Sequence, residues 1–159
     1  MRTSVDVHNF LVERDVRHEL FLARGRLRGP EQIALVLDLP VDEVGKVSIY
    51  HSAGGVVAVV VPVACRPVPA RIQRATGIGD LHRATHQRST ELTEFLPEWT
   101  PPAGLPSGIG LVVDGSLDTD RVLYFAGGEP RAVLKIRGTD LIKASEATVG
   151  PIASQPTGK

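Results

Sequence analysis

Among the residues able to do chemistry, no nucleophile stands beside a base in a recognisable local pattern. No G-x-S-x-G elbow occurs, and nothing around the single cysteine, Cys65, has the form of a thiol-protease signature. Cys65 follows a valine-rich run, which suits a quiet, half-buried thiol better than a catalyst. The five histidines are His8, His18, His51, His82 and His86, and only His82 and His86 have the i, i+4 spacing that lets two imidazoles share a metal on one helix face. Without the glutamate of an H-E-x-x-H pattern, a surface pair is the preferred reading, and a metal-dependent hydrolase is the reading that chelation would test. Gly54-Gly55 and Gly127-Gly128 each fall between strand-like runs rather than between a strand and a helix, so they read as hairpin turns and not as phosphate cradles. Lys46 stands out because it opens a strand just after a turn, where its ammonium could reach an anion held over the sheet edge, although taken alone an ordinary solvated lysine is the preferred reading.

The elements that must position these groups follow from periodicity. Val5, Phe10, Leu11 and Val12 among polar residues suggest a helix from about Ser4 to Asp15, with Ser4 as N-cap. His18 to Leu22 is a short strand, followed by the basic loop Arg24-Gly25-Arg26-Leu27-Arg28-Gly29. Pro30 then opens a second helix whose buried face would use Ile33, Ala34, Leu35 and Leu37. Pro40 ends it. Val47 to His51 and Val56 to Val63 form a hairpin around Ser52-Ala53-Gly54-Gly55, and the unbroken Val56 to Val61 run implies a central strand covered on both faces. Helices are expected over Ala70 to Thr76 and about Gln87 to Phe95. Leu96 to Gly110, with four of the twelve prolines, is an irregular loop of the kind that often lines a site. Strands resume at Leu111 to Val113, Val122 to Ala126 and Ala132 to Ile136, and Gly138-Thr139-Asp140 caps a last helix to about Ser145.

The result is one mixed α/β domain of α+β character, with a mixed parallel and antiparallel sheet flanked by helices. Its expected extent is residues 1–152, with a disordered tail over 153–159. With 159 residues and 42% hydrophobic content the chain can bury one core. One cysteine excludes an internal disulfide and fits a reducing compartment. The N-terminal stretch lacks an apolar signal core and no uncharged run approaches membrane-spanning length, so a cytoplasmic protein is expected. Eighteen basic against eighteen acidic side chains leave no net charge, which excludes a broad polybasic surface and confines any nucleic-acid contact to a local patch.

Over roughly Val5 to Ile152 the order of blocks resembles the YbaK and prolyl-tRNA synthetase-associated editing-domain family. Pro40-Val41-Asp42-Glu43-Val44-Gly45-Lys46-Val47-Ser48-Ile49 is similar to the family's helix, turn and V-x-K-T-L strand, and places Lys46 on its functional lysine. Val56 to Pro62 resembles the hydrophobic strand ending in proline, and Leu111 to Leu117 the L-V-D-x-S-L block that contains Asp114. Val122 to Gly128 resembles the strand and glycine turn that close the pocket; Ala132 to Ile136 and Thr139 to Ile142 resemble the closing strand and helix.

The resemblance implies an aminoacyl-tRNA deacylase acting without metal or cofactor on the ester of a small amino acid such as alanine or cysteine, on transfer RNA for proline. Lys46 would hold the terminal adenosine, Gly104, Ala126, Gly127 and Gly128 would shape the pocket, and Asp114 would orient strand and loop or, on its residue type alone, serve as a turn residue capping the Gly115-Ser116 bend. The implied partners are the aminoacyl-tRNA 3′ end and prolyl-tRNA synthetase, with no membrane and no DNA, and a monomer is the default. An activated ester needs only positioned water and oxyanion donors, so a missing triad does not count against hydrolysis. Where members read G-Y-x-x-G-G-x-x-P-x-G, this chain reads Glu94 to Gly104, with Glu98 and Trp99, the sole tryptophan, in place of two glycines. Ala126 and Val133 replace a serine and an aspartate of some members. These departures motivate the alternative of a catalytically inactive module that binds transfer RNA, a synthetase or a nucleotide-like ligand.

Overall fold

The computed structural model describes residues 1–155. Five helices, α1 (Ser4–Glu13), α2 (Ile33–Leu37), α3 (Pro69–Thr76), α4 (His86–Thr93) and α5 (Gly138–Ser145), accompany eight strands. The strands are β1 (His18–Leu22), β2 (Gly45–Ser52), β3 (Gly55–Pro62), β4 (His82–Arg83), β5 (Ile109–Asp114), β6 (Val122–Ala126), β7 (Ala132–Arg137) and β8 (Thr148–Gly150). The mixed α/β class is as the pattern implied, but the strands form two sheets. One is antiparallel in the order β1-β7-β6; the other is mixed in the order β4-β2-β3-β5-β8. A bridge between Val44 and Tyr124 joins them just ahead of β2.

β3 is the central strand, antiparallel to β2 and parallel to β5. Because strand side chains alternate, its valines divide between two cores. Ala58 and Val60 join Phe95, Phe125, Leu134 and Leu141 on one face. Val57, Val59 and Val61 meet Tyr50, Ile72, Leu81 and Ile152 on the other. A smaller third cluster places Trp99 against Ala23, Leu27, Ile33, Val44, Ala126 and Val133. β-branched residues serve a strand packed on both faces, and this accounts for the unbroken valine run.

Several expectations need correction. The α1 cap is Thr3, not Ser4: its hydroxyl accepts from the Val5 amide at 3.2 Å, and its own amide donates to Asp6 at 2.8 Å. The buried stripe of α1 is Val7 and Leu11, four apart on one face, whereas Val5 and Val12 face outward. Pro30 begins a 3-10 turn, Pro30–Gln32, that leads into the short α2, and Leu35 is 84% exposed, since it lies on the side opposite buried Ile33. Of the two glycines in the β2–β3 hairpin, only Gly55 takes a positive φ, +152°. The Leu96 to Gly110 loop contains a 3-10 turn, Pro97–Trp99, and is buried from Trp99 to Gly104. The chain expected to be disordered from residue 153 is bonded at its start: Ala153 bridges Pro67, and the Ser154 amide donates to the Arg66 carbonyl at 2.8 Å. Residues 156–159 of that expected tail lie outside the described residues. Among the described residues no helix is long and apolar enough to cross a membrane.

Candidate functional site

Lys46 owes its position to the residue before it. A Cβ on Gly45 would stand 2.3 Å from the ring of Phe125, so only glycine lets the start of β2 lie against the first sheet. The next residue must point the other way. Lys46 and Ser48 therefore share the face of β2 whose cross-strand partners are Val61 and Val59, and their open side borders a hollow of about 320 Å³.

Five separate segments close the hollow around Lys46, one of them Pro67 in the connection between β3 and α3. Pro30 and Glu31 come from the 3-10 turn before α2, and Arg83 from the edge strand β4. His86 and Ser89 come from the first turn of α4, and Pro97 and Glu98 from the 3-10 turn Pro97–Trp99. The two turns pack together at Gly29, where a Cβ would lie 3.4 Å from both the Glu31 carboxylate and Cβ of Glu98. Glu98 is within 3.4 Å of His86 Nε2. The hollow is thus lined by two cationic side chains, Lys46 and Arg83, and two carboxylates, Glu31 and Glu98.

Burial lowers the Lys46 pKa below that of an ordinary lysine. Arg83 and Arg66 push it the same way, while Glu31 and Cys65 oppose them. Burial pushes the Cys65 thiol up, Asp114 adds to that, and Lys46 opposes it. A thiol held in its protonated form is a poor nucleophile, consistent with a quiet cysteine.

The other residues singled out in the sequence lie elsewhere. Asp114 is 8% exposed and serves the backbone: its carboxylate accepts from the Ile152 and Ala153 amides, each at 3.1 Å, and from the amide and hydroxyl of Ser116. Gly104, at φ +79°, meets α1, where a Cβ would be 2.9 Å from Val7 Cα, and it lines a separate groove beside Phe10 and Ser145. Gly127 and Gly128 form the β6–β7 turn; the Gly128 amide donates to the Trp99 carbonyl at 2.9 Å, and a Cβ there would meet Phe95 at 3.0 Å. Ala126 and Trp99 are buried together in the third cluster, and Trp99 at 6% exposure is core rather than cavity wall. Of the Glu98-Trp99 pair it is Glu98 that borders the hollow.

His82 and His86 do not share a helix face. His82 lies on β4 opposite His51, and His86 is the first residue of α4. Among the described residues, no group of three or more His, Cys, Asp or Glu side chains is arranged to hold a metal ion. Glu31, Arg83 and Ser89 were not identifiable from sequence, and His86 was read only as half of a surface pair, because they reach the hollow from three different elements and only the topology unites them.

A half-buried ammonium on a strand, beside a hollow assembled from turns on a mixed two-sheet scaffold, is an arrangement able to hold an anionic group. The aminoacyl-tRNA editing domain model matches residues 26–144. The chain belongs to the aminoacyl-tRNA editing domain family, the YbaK family. No curated protein matches the sequence at a significant level. Among solved structures, a hypothetical protein superposes with a TM-score of 0.87 at 28% identity, over 94% of this chain and 99% of that one. A "putative trans-editing enzyme for prolyl tRNA synthetase" superposes with a TM-score of 0.82 at 22% identity, over 99% of both chains, and shares the fold. Family membership supports an editing function.

Proposed function

We propose that this chain is a freestanding trans-editing hydrolase that deacylates mischarged aminoacyl-tRNA bearing a small amino acid such as alanine or cysteine, on transfer RNA for proline. The observation that carries the proposal is Lys46, half-buried at a hollow of about 320 Å³, near the lower end of the volumes typical of small-ligand sites. A nucleic acid's 3′ end enters such a space; its helical body does not. The ammonium then binds phosphate or ribose oxygens of the terminal adenosine, with Arg83 close by, and the ester carbonyl lies over the polar floor made by Ser48 and Ser89. Water held there attacks the carbonyl, and the 3′-oxygen leaves with a proton as the free amino acid departs. Positioning supplies most of the rate, because the ester is already activated. In this reading Asp114, Gly104, Gly127, Gly128, Ala126 and Trp99 act by holding strands and turns in place around the hollow.

The Glu98 carboxylate on the cavity wall favours a second reading, a binding module without hydrolysis, since a negative group there opposes a developing oxyanion. Purified protein incubated with alanyl- and cysteinyl-tRNA for proline, beside a Lys46→Ala variant, separates the two. The proposal expects release of amino acid by the wild type and near-background release by the variant. Background release by both eliminates hydrolysis of these substrates.

A further inference from the structure

The hollow leaves unexplained the basic loop Arg24-Gly25-Arg26-Leu27-Arg28-Gly29, which runs directly into its wall at Pro30 and Glu31. We infer that this loop is a second contact surface, gripping the phosphate backbone of the acceptor stem beyond the 3′ end. The inference rests on the proposed function for the identity of its RNA.

Ala23, Leu27 and Gly29 are buried, while Arg24, Arg26 and Arg28 are exposed. Leu27 is the anchor: it packs in the cluster that contains Trp99, Ile33 and Val133. Fixing Leu27 inward leaves Arg26 and Arg28, on either side of it, in solvent. Gly25, at φ +98°, permits the bend between the first two arginines. The Arg28 amide donates to the Gln32 side chain at 3.0 Å, tying the loop to the turn that borders the hollow. Arg28 is two residues from Pro30, so its backbone lies within about 7 Å of the cavity wall.

None of the three guanidinium groups forms an ion pair or a side-chain hydrogen bond among the described residues, although the chain has as many acids as bases. Three free guanidiniums within five residues of a neutral protein make a local cationic strip. Guanidinium is suited to phosphate oxygens and reads no sequence there. A hollow that accepts only the end of a polynucleotide requires the rest to cross its rim, and the strip leads at Arg28 into the Pro30-Glu31 turn that forms part of the hollow's wall. A duplex phosphate backbone is the polyanion that such a path delivers.

The test measures binding of uncharged, labelled transfer RNA across a series of salt concentrations, for the wild type and for R24A/R26A/R28A. A parallel titration uses 3′-alanylamino-3′-deoxyadenosine, which has no stem. The triple variant should bind transfer RNA about tenfold more weakly, and its dependence of log affinity on log salt should flatten by about 2 to 3, close to one for each phosphate no longer neutralised. Binding of the nucleoside analogue should not change, and R24K/R26K/R28K, which keeps the charge, should retain most of the slope. Unchanged affinity and slope in the alanine variant would overturn the inference, as would equal weakening for the analogue or failure of the wild type to bind transfer RNA. Loop-dependent binding by a protein that releases no amino acid would leave the inference standing and remove the proposed hydrolysis.

Discussion

Replacing Asp114 by alanine tests whether this buried carboxylate serves the backbone or the substrate. One oxygen accepts from the Ile152 and Ala153 amides at 3.1 Å, and the other accepts from the Ser116 amide at 3.2 Å and from its hydroxyl. Alanine strands three backbone donors at a site only 8% exposed. A hydrogen bond to a charged acceptor contributes about 1.5 to 3 kcal/mol, but the losses share one site and water enters part of the gap, so the total should be about 3 kcal/mol. In a domain of this size that lowers Tm by about 6 to 12 °C in a thermal melt followed by circular dichroism. Asp114→Asn keeps one acceptor oxygen but turns an amide donor toward the Ser116 donors, and should lose less. Because Ile152 is fully buried against Ile72 and Tyr50, hydrogen exchange should quicken first around residues 150–154. At a temperature where both proteins are folded, deacylation should match the wild type within about twofold, since Asp114 does not border the hollow. Unchanged Tm, or a large loss of activity at unchanged stability, would refute the reasoning and place Asp114 on the substrate.

Three further outcomes are expected. Gly45→Ala drives a Cβ into the Phe125 ring and should cost about 3 kcal/mol in denaturant unfolding, with weaker binding of transfer RNA because Lys46 is displaced with it. Trp99→Ala empties the centre of the third cluster and should cost about 3 to 5 kcal/mol, seen as an earlier unfolding midpoint at unchanged m. Burial lowers the Lys46 pKa, so between that lowered value and the ordinary 10.5 the unfolded chain binds more protons and stability from this group rises with pH; below the window the charged lysine is a burden. Lys46→Met should therefore unfold later than the wild type at neutral pH, with the gap narrowing in melts taken toward pH 10.5, while its binding of transfer RNA is lost.

The two strand pairs of clearest pattern were legible in the sequence for a simple reason. Val56 to Val61 is β-branched at five of six positions and is bounded by Gly54-Gly55 and Pro62, a short run that suits a strand buried on both faces better than a helix. β1 and β6 were likewise bounded correctly by their turns. β4 and β8 were not legible, because two- and three-residue edge strands have no periodicity and exist only where a neighbour supplies a ladder. The Leu35 error arose from reading four apolar residues as one face on a helix too short to have a full turn on each side.

Lys46 was legible as a residue of interest because it opens β2 just after a turn and falls in the block that resembles the family's lysine strand. The rest of the cavity was not. Glu31, Arg83 and Ser89 are ordinary polar residues in sequence, and His86 and Glu98 drew attention for other reasons; the meeting of two 3-10 turns, an edge strand and a helix start brings them together. Trp99 drew attention as a bulky replacement, yet the fold turns it into the core and leaves its neighbour Glu98 at the cavity.

The most direct test of the site is a nuclear magnetic resonance titration of the labelled protein with 3′-alanylamino-3′-deoxyadenosine, which carries the aminoacyl end on a bond that does not hydrolyse. Amide shifts should concentrate at Lys46, Ser48, Glu31, Arg83 and Glu98, and should vanish in Lys46→Ala. Shifts gathered at the Gly104 groove instead, or a response unaltered by loss of the Lys46 ammonium, would contradict the assignment of this hollow as the place where the 3′ end binds.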